Sequence, residues 1–448
     1  MRNIPVILLA LLITFTVPVS AQWLGTVSIE SGYDDNIFRN YTAAEASATD
    51  LTLEYGYFPD HGIWAINYTG AMTTFSQYPD RLYSTQTLGS SWVHKYGENK
   101  AASLSALAIA SARFGKELYS IYDYRQMLAS VSIKQPVAGD IPLLVSYRAR
   151  YRSYPEFGEL SYLEHFASVG SMVFFETRTS IRMQADLGFK NYLRTAPGNG
   201  SNIMQPGSTP LPPAKIDTDG RVTDGQPADG IDGMRTFSGG GGGNGNGGGW
   251  NEGGVNGRGA GRMSLGNRGP GAGMDGSVEY LLYEEPSTSQ LSTWINIGQG
   301  ITDHTGVSLR YLRRWNLTDR GRAFVGGAVD FIGEEELFDD PYSYESDEVS
   351  LTLTQVLPWS MRLRLGAFYM DKTYGYPATF DYEDPSAVDR SDERLGGWIG
   401  VSKSLAGDWL AFSGLNLSLG YVWLRNKSNT SYYDYSSNAV NFGISTDF

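Results

Sequence analysis

Three arginines at alternate positions have the clearest chemical potential in the sequence. Arg148, Arg150 and Arg152 are separated by single residues that are apolar or aromatic. Alternate side chains of an extended strand point to the same face, so the three guanidinium groups would form one basic row. Guanidinium groups bind carboxylates and phosphates through charge-assisted hydrogen bonds. The spacing therefore predicts a face that interacts with anions.

The same pattern recurs in three further segments. The basic residues on their polar faces are Arg182, Lys190, Arg310, Arg314, Arg362 and Arg364. Arginine facing lipid near the midplane costs about 2–4 kcal/mol, so in a membrane barrel these groups must face the lumen. Two interpretations stay open. The arginines form a basic stripe that favours anionic solutes, or they brace the wall by pairing with Asp186, Glu54 and acids of the loops.

Motifs of enzymes are missing. The histidines are His61, His94, His165 and His304, mostly at predicted turns, and none has the helical spacing of metal-ligand pairs. The sequence contains no Gly-x-Ser-x-Gly elbow. The glycine pattern at 243–248 matches a dinucleotide motif by letters only, because it lies within low complexity and follows no strand. We expect no catalytic residue, no metal and no cofactor.

Carboxylates cluster in two stretches of the C-terminal half, which we interpret as solvated outer loops. They are Glu334, Glu335, Glu336, Asp339, Asp340, Glu345, Asp347, Glu348, Asp381, Glu383, Asp384, Asp389, Asp392 and Glu393. Such oxygens could hold divalent cations, but none of the stretches has a defined ligand spacing.

Composition and the N-terminus indicate an exported protein. The formal charge of −13 argues against nucleic acid as a partner. Arg2, an apolar run at 4–17 and small residues at 19–21 predict a signal peptide, residues 1–21. The alternative, a membrane anchor, needs a longer apolar core than this one, which Pro5 and Pro18 interrupt. The chain has 0 cysteines, so no disulfide or lipid-modified cysteine is available.

Alternation of apolar and polar residues runs through the chain from Trp23. It predicts an all-β fold, a transmembrane antiparallel β-barrel of about 16 strands. A soluble β-sandwich is the alternative, and the aromatics near strand ends weigh against it. The predicted strands are 23–36, 48–57, 63–77, 84–95, 101–114, 123–134, 143–154, 162–176, 180–192, 287–301, 306–316, 346–356, 361–372, 394–403, 415–425 and 438–448.

The connections between these segments alternate between short and long, which predicts short periplasmic turns and long extracellular loops. Both termini would then lie in the periplasm, and 22–448 would be one barrel domain. The long connections include 193–286, 317–345, 373–393 and 426–437. The first is rich in glycine and is interpreted as an extracellular loop. A plug inside the lumen and an interdomain linker are the alternatives.

The last strand resembles the assembly signal of outer-membrane barrel proteins. It carries Phe442, Ile444 and the final Phe448 on one face. This resemblance implies insertion by the barrel-assembly machinery. The strand number and long outer loops look like a general porin. The segment 31–38, Ser-Gly-Tyr-Asp-Asp-Asn-Ile-Phe, is similar to the first strand of barrels that serve surface polysaccharide or surface-protein export.

We therefore expect an outer-membrane location in a Gram-negative cell, surrounded by lipid and lipopolysaccharide. The leading prediction is a porin-like channel for small, anionic solutes. A barrel component of a surface export or electron-conduit assembly, with periplasmic or lumenal protein partners, is the first alternative. A closed barrel used for surface adhesion is the second. The sequence does not identify the solute or whether the barrel forms a homo-oligomer.

Overall fold

The computed structural model describes most of the chain after residue 22. The described residues are 23–37, 39, 43–59, 63–116, 120, 122–138, 141–156, 158, 161–193, 281–282, 287–318, 324–325, 340–377, 389–405, 414–430 and 433–448. The predicted signal peptide, 1–21, and nearly all of the connection 193–286 lie outside these ranges. No helix within them is long and apolar enough to cross a bilayer.

Eighteen strands are present in the described ranges. They are β1 Trp23–Asp34, β2 Ala46–Tyr57, β3 Trp64–Phe75, β4 Tyr83–Tyr96, β5 Ala102–Gly115, β6 Arg125–Ala138, β7 Ile141–Ser153, β8 Tyr162–Phe174, β9 Thr179–Tyr192, β10 Leu281–Leu282, β11 Ser287–Gly300, β12 Thr305–Asn316, β13 Phe324–Val325, β14 Tyr344–Leu357, β15 Met361–Pro377, β16 Asp389–Leu405, β17 Gly414–Ser428 and β18 Tyr435–Asp447.

Sixteen of the strands form one closed antiparallel barrel, in which each strand pairs with its neighbours along the barrel and β1 pairs with β18. The two-residue strands β10 and β13 form a separate small ladder. The predicted fold is therefore confirmed, with every predicted strand present. Closure leaves no open sheet edge, as a strand in a membrane requires.

Several strands extend further than predicted, chiefly at the end of the barrel that carries the long connections. We call this the outer end, and the end with the short turns the inner end. β15 continues to Pro377 and β16 begins at Asp389, so their connection is shorter than the predicted 373–393. Charged residues interrupt the apolar pattern there, but strand pairing does not need apolar side chains once the wall rises above the hydrocarbon.

Strand register sorts the side chains into an apolar outer surface and a polar lumen. On β12, Leu309 and Tyr311 face outward and are exposed, whereas Arg310 and Arg314 face inward. Aromatic rings gather on the outer surface at the inner end of β1 to β3. There the ring centroids of Trp23 and Tyr55 are 5.0 Å apart. This is the pattern of an aromatic girdle at a membrane interface.

The seam between β1 and β18 closes the barrel near its C-terminus. The Gly25 amide donates to the Phe448 carbonyl over 2.9 Å, and the Phe448 amide donates to the Gly25 carbonyl over 2.8 Å. The Phe448 ring lies where a β-carbon on residue 25 would be, so a larger residue at this position would displace the ring. Phe442 and Ile444 are exposed on the outer face of β18. Their role as an assembly signal stays a prediction.

The segment 31–38 contains a hydrogen-bonded clasp at the outer end of this seam. Asp34 accepts from the Ser437 hydroxyl over 2.9 Å. Asp35 accepts from the backbone and side-chain amides of Asn438 over 2.7 and 2.8 Å. The Asn36 side chain donates to the Ser436 carbonyl over 3.0 Å. Acidic and amide residues at the outer end of β1 and directly after it therefore join the first strand to the last one.

Replacing Asp35 by alanine should lower the free energy of unfolding by about 2 kcal/mol, because two charge-assisted bonds across the seam are lost. Urea titration of the purified barrel in lipid vesicles measures this change. Asp303→Ala is the matched control, since Asp303 is an exposed partner of Arg178 in an inner turn and should change stability by under about 1 kcal/mol. Equal losses in the two variants would contradict a clasp.

Candidate lumenal site

All the basic residues singled out from the sequence lie on inward faces of strands that run toward the outer end. These strands are β7, β9, β12 and β15. The register places Arg148, Arg150 and Arg152 together on β7, and the other six on the remaining three strands. The strands bring these groups to two levels of the lumen, which differ in their surroundings.

Inward side chains near the outer end are buried, and those nearer the inner end are half-buried or exposed. Arg314 on β12 and Asp392 on β16 are both 0% exposed. Toward the inner end, Arg362 and Arg364 on β15 are exposed. Within the described ranges, the lumen is therefore lined closely in its outer half and accessible from its inner end.

The segment 340–343, which precedes β14, lies inside the barrel in the outer half and crosses toward β8. The Asp340 carboxylate contacts the Lys190 ammonium over 2.8 Å, with side chains 4% and 3% exposed. The Tyr342 hydroxyl donates to Glu164 on β8 over 2.9 Å. Gln290 on β11 donates to the Pro341 carbonyl over 3.3 Å. We call residues 340–343 the lumenal segment.

Lys190 is held by aromatic rings as well as by Asp340. Its ammonium lies 4.3 Å from the ring centroid of Tyr162, 5.1 Å from that of Tyr192 and 5.2 Å from that of Tyr342. Tyr192 also donates its hydroxyl to Asp340 over 2.6 Å. Burial and the neighbouring Glu164 raise the pKa of Tyr342 well above its usual range, so its hydroxyl stays protonated and continues to donate.

The arginines of the outer half are braced by partners. Arg150 donates to Glu164 over 2.8 Å, and Arg148 lies 4.0 Å from the same carboxylate. Arg152 donates to the Tyr154 hydroxyl over 3.1 Å. A quarter of the way around the barrel, on β12, Arg314 donates to the Ser346 hydroxyl over 2.7 Å and lies 3.8 Å from Glu348. In the outer half of the lumen, the arginines therefore brace the wall by pairing with acidic side chains.

Four of the arginines that were singled out from the sequence make no ion pair within the described part of the chain. They are Arg182, Arg310, Arg362 and Arg364. Three of them lean on aromatic rings instead. Arg182 and Arg310 lie 4.8 and 5.3 Å from the ring centroid of Trp294. Arg364 lies 5.2 Å from that of Trp398. Their positive charge is available to the lumen.

The opposite wall carries acids. β1 and β9 are eight places apart in the order of the sixteen barrel strands, so they face each other across the lumen. Glu30 on β1 pairs in register with Asp50 on β2, and both point inward with Glu54. Arg182 projects from β9 on the other side. Carboxylates of β1 and β2 therefore face Arg182 and Arg310 across the lumen, and Asp186 is an acid on the same inward face of β9 as Arg182.

Sequence reasoning missed the partners that organise these residues. Arg390 and Asp392 form a buried pair on the inward face of β16, and Lys372 lies beside Tyr374 on β15. Asp392 was expected in a solvated loop, as were Glu345, Asp347, Glu348, Asp389 and Glu393. That expectation is wrong for these residues, which lie within β14 and β16 because the strands rise above the membrane. Alternation through the charged stretch was the signal that could have found them.

Two of the histidines, His94 and His165, fall within the predicted strands 84–95 and 162–176. They lie within β4 and β8, on faces that the register turns outward. The Tyr147 hydroxyl is 2.5 Å from His165 Nδ1. Over the described ranges, no group of three or more histidine, cysteine or acidic side chains has the arrangement of a metal site.

A family model described as "Surface lipoprotein assembly modifier" matches residues 300–448. This region contains β12 to β18 and the turn before them. A comparison with curated protein sequences gives no significant match.

Similar solved structures include CdiB from Acinetobacter baumannii, with 7% identity, a TM-score of 0.46 and coverage of 96% of this chain and 60% of that one. The chain thus spans 60% of the length of CdiB. OpdK from Pseudomonas aeruginosa has 7% identity, a TM-score of 0.42 and coverage of 95% and 98%. A bacterial polysaccharide outer membrane secretin has 7% identity, a TM-score of 0.41 and coverage of 95% and 98%.

The protein is an outer-membrane β-barrel. Its closed barrel has an apolar outer surface and a polar lumen, which is the arrangement that a lipid bilayer requires of membrane-spanning strands. The match to a family concerned with surface lipoproteins agrees with this location.

Proposed function

We propose that the protein is a barrel component of surface lipoprotein assembly. The observation that carries the proposal is the asymmetry of the lumen, which is accessible at its periplasmic end and closely lined in its outer half. A barrel of this kind receives its substrate from the periplasm. The family match over residues 300–448 supports surface lipoproteins as the class of substrate.

The lumenal segment supports entry of the substrate from the periplasmic end. It lies against β8, β9 and β11 through Tyr342, Asp340 and Pro341, so it narrows the outer half of the lumen. The buried ion pair between Asp340 and Lys190 holds the segment at that level. A barrel that opens only when a partner engages it from the periplasm needs a bonded resting state. The proposal therefore includes a periplasmic protein partner and no chemical step.

Deleting the gene should reduce the display of lipoproteins on the cell surface without changing their total amount. Protease treatment of intact cells, followed by detection of the lipoproteins, measures the displayed fraction. Restoring the gene should restore display, and so should the Asp303→Ala variant, which alters only an exposed turn. Normal display in the deletion strain would overturn the proposal, provided that no second copy of the gene is present.

The second candidate function is a porin-like channel for small anionic solutes. It is favoured by the four arginines that make no described ion pair, because unpaired guanidinium groups in a lumen attract anions. A barrel of sixteen strands is wide enough to leave an aqueous channel. Steady conductance of the purified protein in planar bilayers would favour this candidate. Absence of conductance in planar bilayers, together with loss of lipoprotein display in cells, favours the role in lipoprotein assembly.

A further inference from the structure

We infer that Arg182, Asn296 and Arg310 form a lumenal binding site for a phosphate group. Asn296 on β11 is the register partner of Arg182 on β9 and also of Arg310 on β12. All three side chains point inward at the same level of the wall. Adjacent strands are about 4.8 Å apart, so the two arginines start about 10 Å apart and converge over the asparagine.

Trp294 fixes the two arginines in this position. It is the next inward residue of β11 toward the outer end, and both guanidinium groups lie against its ring, at 4.8 and 5.3 Å from the centroid. Contact with an aromatic ring restricts a long side chain without neutralising its charge. The donors are thus oriented before a ligand arrives, which reduces the entropy lost on binding.

The donor set matches a phosphate better than a carboxylate. Ser308 donates to Asn296 Oδ1 over 2.7 Å, which leaves the Asn296 Nδ2 group as a donor toward the lumen. Two guanidinium groups and one amide can therefore serve three phosphate oxygens, whereas a carboxylate offers two. Arg182 and Arg310 also repel each other, and a doubly charged ligand between them relieves that repulsion.

The walls of the lumen direct an anion to this place. Glu30, Asp50 and Glu54 lie on the inward faces of β1 and β2, opposite β9 and β11 in the strand order. Their charge disfavours an anion on the far wall, whereas Arg182 and Arg310 attract one on the near wall, where Asp186 lies two inward positions from Arg182 toward the outer end of β9. Binding of phosphate at this site requires neither transport nor a lipoprotein, so it can be measured independently of both candidate functions.

Calorimetric titration of the purified barrel tests the site, with inorganic phosphate and glycerol phosphate as probes and with acetate and glycerol as controls. We expect both phosphates to bind and glycerol not to bind. The double variant Arg182→Gln, Arg310→Gln should weaken phosphate binding by about tenfold or more, because each lost group removes a charge-assisted bond. Trp294→Leu should weaken it less, since the donors remain but lose their support.

Lys95→Gln with Lys134→Gln is the matched control. Both lysines point into the lumen, on β4 and β6, and their loss removes the same formal charge away from the site. Affinity for phosphate should stay close to that of the unaltered protein. The inference is overturned if the unaltered protein does not bind phosphate, if the lysine control loses as much affinity, or if acetate binds as tightly. Lipoprotein display is measured separately, so its failure would leave this result intact.

Discussion

Replacing Asp340 by asparagine should lower the free energy of unfolding by about 3–5 kcal/mol. The carboxylate is buried against the Lys190 ammonium, at 2.8 Å, and also accepts from Tyr192. Asparagine keeps the size of the side chain but leaves the ammonium in a buried site without a counter-charge. The three tyrosine rings around Lys190 offset only part of that cost. Urea titration in lipid vesicles measures the difference.

Two further variants separate the buried pair from a general effect of charge. Asp80→Asn removes the partner of Lys116 in an outer loop, where the two side chains are 51% and 41% exposed. This change should cost under about 1 kcal/mol. Adding Lys190→Met to Asp340→Asn should recover part of the lost stability, because no uncompensated charge then remains. Equal losses of stability for Asp340→Asn and Asp80→Asn would contradict the role of the lumenal segment.

For the porin-like candidate, replacing the four unpaired arginines by glutamine should reverse the ion preference of the lumen. Arg182, Arg310, Arg362 and Arg364 supply positive charge, and Glu30, Asp50 and Glu54 remain on the opposite wall. We expect the unaltered protein to prefer anions and the fourfold variant to prefer cations, with a several-fold change in the permeability ratio. The reversal potential under a salt gradient in planar bilayers gives this ratio.

The control for this experiment removes arginines from the outer surface. Arg313 on β12 and Arg425 on β17 face away from the lumen by register, so Arg313→Gln with Arg425→Gln should leave the reversal potential unchanged. Cation preference in the unaltered protein would contradict the anion-selective channel. A shift of the same size in the control would show that net charge, and not the lumen wall, sets the preference.

The barrel could be predicted from the sequence because its signal is local. Each strand alternates, as in Leu415 to Trp423, and each alternation reports only on the two faces of one strand. The even strand number and the parity of the connections then define the topology. The ends of the strands were predicted less accurately. The alternation near Asp389 and Glu393 involves charged residues, which are equally typical of a loop.

The partners of the lumenal arginines could not be predicted in the same way. Arg150 and Glu164 face each other because β7 and β8 pair in one register, which a single strand does not reveal. The contact between Tyr342 and Glu164 is even harder to predict from the sequence. It joins residues 178 positions apart across three intervening strands, and it depends on the path of a connection that has no periodic pattern.

Cysteine labelling tests the central claim, that the lumen is accessible from the periplasm and closely lined in its outer half. The chain has 0 cysteines, so single substitutions report on one position each. Ser404→Cys lies near the inner end of β16 and Ser292→Cys lies in the outer half on β11, where Ser292 is 1% exposed. We predict that a bulky maleimide labels Ser404→Cys from the periplasmic side and leaves Ser292→Cys unlabelled from either side. Rapid labelling of Ser292→Cys from outside intact cells would contradict the account.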